Sequence, residues 1–394
     1  MNRALWFILC SAFLDLLGAT VLVPVIPYLV RQYSPDALTV GLLALTFAIF
    51  QFVAGPALGR LSDRFGRRPI LLISVLGSGV GYLIFGYATA LWMLFLGRGI
   101  DGITGGNISV AQAYIADVSA PQDRAKNFGL IGAAFGLGFI IGPALGGALS
   151  HVSLQAPAFL AAGLTLVTAA FGYFVLPESL PPERRTREAL TWSDISPVTQ
   201  IRRVFGSTRL RGPLAAMFLM TVAMAGLQTN FAVFTAHVFG YGPADNARIF
   251  VFIGIVSVVV QGGLLRTALR FARERHVMLT GLGIASAGYA GIALVRAPWH
   301  LYPVLGLVGV GSALAGATLA SFITTLVDPT EVGVATGLTQ SAGALARVVG
   351  PVVAGAVFDA IAPSAPYLLS AACAGLSLWV LAASSRRTPD QVVA

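Results

Sequence analysis

Four charged residues stand well inside long apolar runs of the sequence, away from the run ends: Asp15, Arg98, Asp101 and Arg347. A charge in hydrocarbon is costly unless it is paired or hydrated, so such residues mark sites of chemistry by default. Arg98 and Asp101 are three apart, the spacing that brings two side chains together on one helix face. They can form a structural ion pair. They can also form a switch, in which protonating Asp101 releases Arg98 and the release is coupled to substrate. Asp15 has no charged neighbour in sequence. It can carry a proton, attract a cationic substrate group, or serve packing with its oxygens held by hydroxyl or backbone donors. Arg347 lies along one helical face with Gln340, Ala344 and Pro351. Three roles are open to it: meeting an anionic group on a substrate, pairing with an acid across a cavity, or locking its helix in place. Uncharged polar residues extend these faces. Asp101 continues through Gly105, Ser109 and Gln112, with Asn107 on the same run, and all are expected to line a cavity. Gln228 shares a stripe with Met224, Phe231 and Thr235, with Asn230 beside it. Phe and Met at that spacing serve packing, or an adaptable pocket.

These residues need long apolar elements to hold them. Of 394 residues, 56% are hydrophobic and 10% charged, against about 25% charged in an average soluble domain. So few charges cannot cover a soluble protein of this size. The runs fall at Ala4–Val30, Ala37–Leu58, Ile70–Tyr87, Leu91–Ile115, Phe128–Leu149 and Ala156–Leu176, and then, beyond a polar stretch, at Pro213–Phe239, Asn246–Leu265, Val277–Val295, Leu301–Val327, Val332–Phe358 and Pro366–Ala383. The expected fold is an all-α polytopic membrane protein of twelve transmembrane helices in two six-helix halves. The halves are 1–176 and 213–385, with a cytoplasmic linker at 177–212 and a tail at 386–394.

Charge placement gives an orientation. If the N-terminus is cytoplasmic, twenty of the 25 basic residues lie in inside segments and three (Arg31, Arg248 and Arg296) lie outside. The positive-inside rule then places both termini in the cytoplasm. The net charge of +9 therefore reflects topology and the anionic lipid surface, and no nucleic-acid partner is expected. The halves repeat at an offset of 208: Gly129-Leu130, Gly142-Pro143 and Gly147-Ala148 fall on Gly337-Leu338, Gly350-Pro351 and Gly355-Ala356. Two parallel six-span repeats are the plan of rocking-bundle carriers, with a substrate site at mid-membrane.

Two motifs sharpen this. The loop after span two reads Gly59-Arg60-Leu61-Ser62-Asp63-Arg64-Phe65-Gly66-Arg67-Arg68. Gly59 and Gly66 permit close approach and a tight turn. Asp63 can face helix N-termini, where the macrodipole favours an anion, and Arg64, Arg67 and Arg68 can pair with neighbouring acids. The expected role is a conformational latch. A copy at Arg266, Arg270, Phe271 and Arg273 is degenerate, with Leu269 and Ala272 in place of the acid and the glycine. Span five carries Gly138, Gly142, Pro143, Gly146 and Gly147, with Gly138, Gly142 and Gly146 on one face for close packing and Pro143 bending the helix.

The loop motif resembles the signature of the major facilitator superfamily, and the span-five motif resembles that of its drug:proton antiporter branch. The stretch from Gly97 through Gly105 and Asp117 to Gly147, together with Phe13–Gly18, Pro24 and Pro27, looks like the tetracycline-efflux group. The resemblance implies export by exchange for protons, a role for Arg98 in proton movement, and a monomer. It also implies further membrane acids in spans three and nine. Here the span-three position is Gly81, and span nine has no acid.

The expectation is a secondary active transporter that exports small amphipathic compounds in exchange for protons by alternating access. Its partners are the small-molecule substrate, protons and the lipid bilayer, and its location is the bacterial cytoplasmic membrane. Asp15, Arg98 and Asp101 would couple the proton. Asn107, Gln112, Gln228, Asn230, Phe231, Gln340 and Arg347 would contact substrate. The alternative is a symporter or facilitator for a sugar or organic anion. No cofactor or metal is expected and no enzyme: there is no phosphate-binding Gly-x-x-x-x-Gly-Lys motif, no nucleophile–base constellation and no metal-ligand spacing. Cys10 and Cys373 form no framework.

Overall fold

The computed structural model describes residues 3–119, 124–186, 210–328 and 332–384. Most of the linker and the whole tail lie outside the described residues. No strand occurs among the described residues. In lipid every backbone N–H and C=O must be satisfied within its own segment, and helices do this for runs as apolar as these.

The first six spans begin with α1 (Arg3–Val21) and α2 (Ile26–Arg31), one run interrupted where Pro24 and Pro27 withdraw backbone donors. They continue as α3 (Ala37–Phe65), α4 (Arg67–Gly86), α5 (Leu91–Thr104), a 3-10 turn at Gly105–Asn107, α6 (Ile108–Val118), α7 (Arg124–Leu149) and α8 (Ala156–Val175). The second six are α9 (Arg211–Phe239), α10 (Pro243–Val259), a π turn at Val260–Leu264, α11 (Leu265–Phe271), α12 (Glu274–Ala293), α13 (Leu301–Thr325), α14 (Val332–Ala360) and α15 (Ala365–Ser384). Among the described residues ten helices are long and apolar enough to cross a membrane, and Gly136–Leu149 is a shorter apolar one. The interrupted α5–α6 run completes twelve.

The chain forms two compact units, residues 1–199 with 241–251, and residues 200–240 with 252–394. In the first, α1 packs on α7 and α8, and α4 packs on α5 and α8. In the second, α9 packs on α14 and α15, and α12 packs on α13 and α15. The same scheme of neighbours thus recurs inside each unit, as the sequence repeat requires.

Small residues set the closest approaches. Along α7, Gly138 faces Leu16 and Gly142 faces Thr20, while Gly146 faces Val21 and Pro24, so the three stacked glycines seat α1. The Thr20 hydroxyl donates to Gly138 O at 2.9 Å, a bond between helices that only this proximity allows. Gly147 meets Ala247 and Ala244. Pro143 sits inside α7 without ending it.

A methyl at Gly142 collides with the Thr20 side chain, whereas one at Gly163 on α8 meets nothing within 4 Å. Gly142→Ala should therefore cost about 1–3 kcal/mol from overpacking. Gly163→Ala should be neutral or stabilise by up to about 1 kcal/mol. Melting curves of the purified protein separate the two: the first variant melts earlier than the native chain and the second does not.

Candidate functional site

In the first unit, the charges predicted inside spans converge on a buried pocket among α1, α4 and α5. Arg98 Nη1 donates to Asp101 Oδ2 at 3.0 Å, one helical turn apart. The guanidinium also lies over the Phe47 ring of α3, 4.2 Å from its centroid, a favourable seat for a cation. Asp101 is only 2% exposed, and Ser78 and Tyr82 of α4 lie against its carboxylate. Asp15, half-buried on α1, accepts from Asn107 Nδ2 at 3.2 Å. Asp15 and Asp101 are close enough to repel, and Tyr82 feels both. Arg98 Nε is a buried donor with no acceptor among the described residues.

The 3-10 turn makes this pocket possible. It places Asn107 beside Asp15, and neighbouring side chains answer the backbone groups around it. Gln51 Nε2 of α3 donates to Gly105 O at 2.9 Å. Ser109 Oγ lies 3.0 Å from Gly106 O and 3.2 Å from Gly55 O. Thr104, at the end of α5, shares a 3.0 Å hydroxyl contact with Ser78.

The turn also bears on the polar face. The face Asp101–Gly105–Ser109–Gln112 presumes an unbroken α-helix. Three residues at about three per turn rotate the α6 half of the span relative to α5, so Asp101 and Asn107 are buried while Ser109 and Gln112 stay exposed. Gly81, where the family resemblance implies an acid, has no room for a side chain. A Cβ there would stand 2.8 Å from Gly97 O and 3.2 Å from Asp101 Cβ.

The loop motif forms a second cluster. Arg67 is buried, with Nη2 2.6 Å from Asp63 Oδ1 and Nε 3.2 Å from Asp117 Oδ2. Its Nη1 donates to Ser62 Oγ at 2.6 Å. Gly66 turns the chain from α3 into α4 at φ 107°, a left-handed value open to glycine. At the corresponding place in the second unit, Ala272 is extended at φ −137°, so the degenerate copy makes a different turn. Arg64 is exposed against Phe65, and Arg68 lies over the Tyr173 ring and donates to Tyr173 O. Gly59 approaches Ser109.

Asp63 pairs with Arg67 of the same motif. The acid seated at the start of α4 is Glu178, from the beginning of the linker. Glu178 accepts Arg67 N at 2.9 Å and Arg68 N at 3.3 Å, and also Ser179 N and Leu180 N at 3.0 Å each. Arg185 Nη2 stands 3.8 Å away, and Thr186 N donates to Asp63 O at 3.0 Å. The first residues of the linker are thus tied to the latch. Sequence reading missed Glu178 and gave Asp117 no role.

In the second unit the candidates divide. Asn230 and Phe231 are fully buried, and neither side-chain polar atom of Asn230 has a hydrogen-bond partner among the described residues. Gln228 is half-buried. Gln340 and Arg347 are exposed on α14.

The described residues thus define a polytopic helical protein with charges buried at mid-span, the build of a membrane carrier. A family profile described as Major Facilitator Superfamily matches residues 8–351 and again 262–393, and the chain belongs to that superfamily. It is 32% identical to the class C tetracycline resistance protein of Escherichia coli, over 92% of this chain and 91% of that one. It is 27% identical to multidrug resistance protein 2 of Bacillus subtilis, over 89% of this chain and 88% of that one. The crystal structure of the human organic anion transporter MFSD10 (TETRAN) superposes with a TM-score of 0.74 at 26% identity, covering 96% of this chain and 99% of that one. The protein is a multi-pass membrane transporter of small molecules, similar to drug-efflux proteins.

Glu178 gives a test of the latch. Glu178→Ala leaves the first N–H groups of α4 without their acceptor and should cost about 1–3 kcal/mol. Glu183→Ala, at an exposed position five residues on, should change nothing. Thermal melting of the two variants side by side checks both.

Proposed function

We propose that this transporter exports small amphipathic compounds of the tetracycline and multidrug type in exchange for protons. The observation that carries the reading is the buried pocket in which Asp15, held by Asn107, shares its surroundings with the Arg98–Asp101 pair. Two neighbouring carboxylates, of which only Asp101 is paired with a guanidinium, favour a state in which one of them holds a proton. Proton entry lets Asp101 release Arg98, and proton loss restores the pair. Substrate bound near the pocket alters that balance, so substrate and proton compete for it. The similarity to tetracycline and multidrug resistance proteins supports drug-type substrates.

The sequence halves rock to open the substrate site to one side and then the other. The Arg67–Asp63–Asp117 cluster, tied to Glu178, acts as the latch that holds one of these states. The protein works in a bacterial cytoplasmic membrane with both termini inside, a reading supported by the bacterial relatives and by the distribution of arginine.

Purified protein in liposomes with an imposed pH gradient tests the coupling. Tetracycline and an amphipathic dye are followed in native protein, Asp15→Asn and Asp101→Asn. Native protein should move drug against the proton gradient, and each variant should lose about tenfold or more of the gradient-driven flux. Gradient-driven flux that survives removal of both carboxylates sinks the proposal. Inward accumulation driven by outside acid would make the protein a symporter.

A further inference from the structure

The second unit contains a cation with no hydrogen-bond or ion-pair partner among the described residues. Arg347 is the sixteenth of the 29 residues of α14, so it lies roughly 20 Å along the axis from either helix end. A side chain cannot snorkel that far. No hydrogen bond or ion pair joins Arg347 to any described residue. The helices packed against α14 are α9, α13 and α15, and not one carboxylate occurs along their lengths. The acid nearest in sequence on α14 itself is Asp359, twelve residues on and roughly 18 Å away along the axis.

The surroundings of Arg347 nevertheless suit a polar ligand. Thr336, Gln340 and Arg347 are all exposed, and their spacing stacks them on one face of the helix. Towards the far end the same face turns inward, where Ala354 and Gly350 meet Gly226 of α9. The exposed apolar residue of that helix half, Val353, points about 240° round from Arg347. The guanidinium therefore belongs to a polar stripe. Arg98 makes the contrast: its charge is met within its own unit by Asp101 and Phe47. A guanidinium offers a planar fork of donors matched to carboxylate, sulfonate or phosphate.

We infer that Arg347 receives an anionic group of the transported compound, with Gln340 as a neutral second donor. This rests on reading the chain as a carrier of small amphipathic compounds and adds that their polar end is negatively charged.

The test is equilibrium binding to the purified full-length protein, without any pH gradient, so that it does not depend on proton coupling. The probes are fluorescein, an anion at neutral pH, and rhodamine 123, a cation on the same ring skeleton, each followed by fluorescence anisotropy. Arg347→Gln should weaken fluorescein binding by about tenfold or more and leave rhodamine 123 within about twofold. Arg347→Lys keeps the charge without the fork and should fall between. Equal loss for both dyes, with a lowered melting temperature, would make Arg347 a structural residue and overturn the inference. So would unchanged fluorescein binding in Arg347→Gln, or a native protein that binds rhodamine 123 but not fluorescein. Loss of gradient-driven flux in the carboxylate variants with no effect at Arg347 would leave the exporter reading standing and remove only this addition.

Discussion

A charged side chain in hydrocarbon persists only where another group meets it, and the interior of the first unit is organised around that constraint. Arg98 reaches Asp101 at one edge and Phe47 at its face. Asp101 draws on Ser78 and Tyr82, and Asp15 on Asn107. None of these partners is a bystander to the backbone. Asn107 arrives beside Asp15 because the helix breaks into a 3-10 turn. That turn is tolerable in a membrane because Gln51 caps the Gly105 carbonyl. Charge, turn and cap form one unit, and removing any of them leaves a polar group in the bilayer without a partner.

The Arg67 cluster obeys the same rule, with a different balance of terms. Arg67 is buried and holds two acids and a hydroxyl, while Glu178 gathers four backbone N–H groups. An anion at a helix start gains both from those donors and from the dipole. Gly66 is where the two ideas meet. Its left-handed turn aims the start of α4 at Glu178, and a Cβ there would stand 2.9 Å from that residue's Cδ. With Ala272 extended, the second unit has no equivalent turn. The missing acid and glycine at Leu269 and Ala272 are thus two parts of one absent structure.

What was legible in the sequence was what repeats or is rare. Long apolar runs and arginine-bearing loops marked the spans, and the offset between Gly142-Pro143 and Gly350-Pro351 marked the repeat. Asp15, Arg98 and Asp101 stood out because acids and arginines seldom occur in such runs, and three-residue spacing placed two of them together. What was not legible depended on local departures from the helix and on contacts between distant segments. A polar face drawn through Gly105 presumes α-helical rotation, and nothing in Gly-Gly-Asn dictates a 3-10 turn. Glu178 looked like one more linker acid until the linker was seen to fold back on α4. The burial of Asn230, with its side-chain N and O unpartnered among the described residues, likewise comes from neighbours that no local pattern records.

The departure at Gly81 then takes on a physical meaning. The family resemblance implies an acid on span three, where this chain has Gly81. α4 and α5 meet at Gly81 and Gly97 with backbone nearly against backbone, and the first atom of any side chain at 81 would fall 3.2 Å from Asp101 Cβ. The carboxylate of this region is carried by the facing helix, one turn from an arginine that can hold it. Placing it there allows a closer α4–α5 contact, and it fixes the acid to Arg98 through the helix itself instead of through contacts between helices. A carboxylate tethered to its arginine on one helix keeps that partner as the helices around it move. Asp15 stands beside that pair, and its position there depends on the spacing of α1 on α7 that Gly138, Gly142 and Gly146 set.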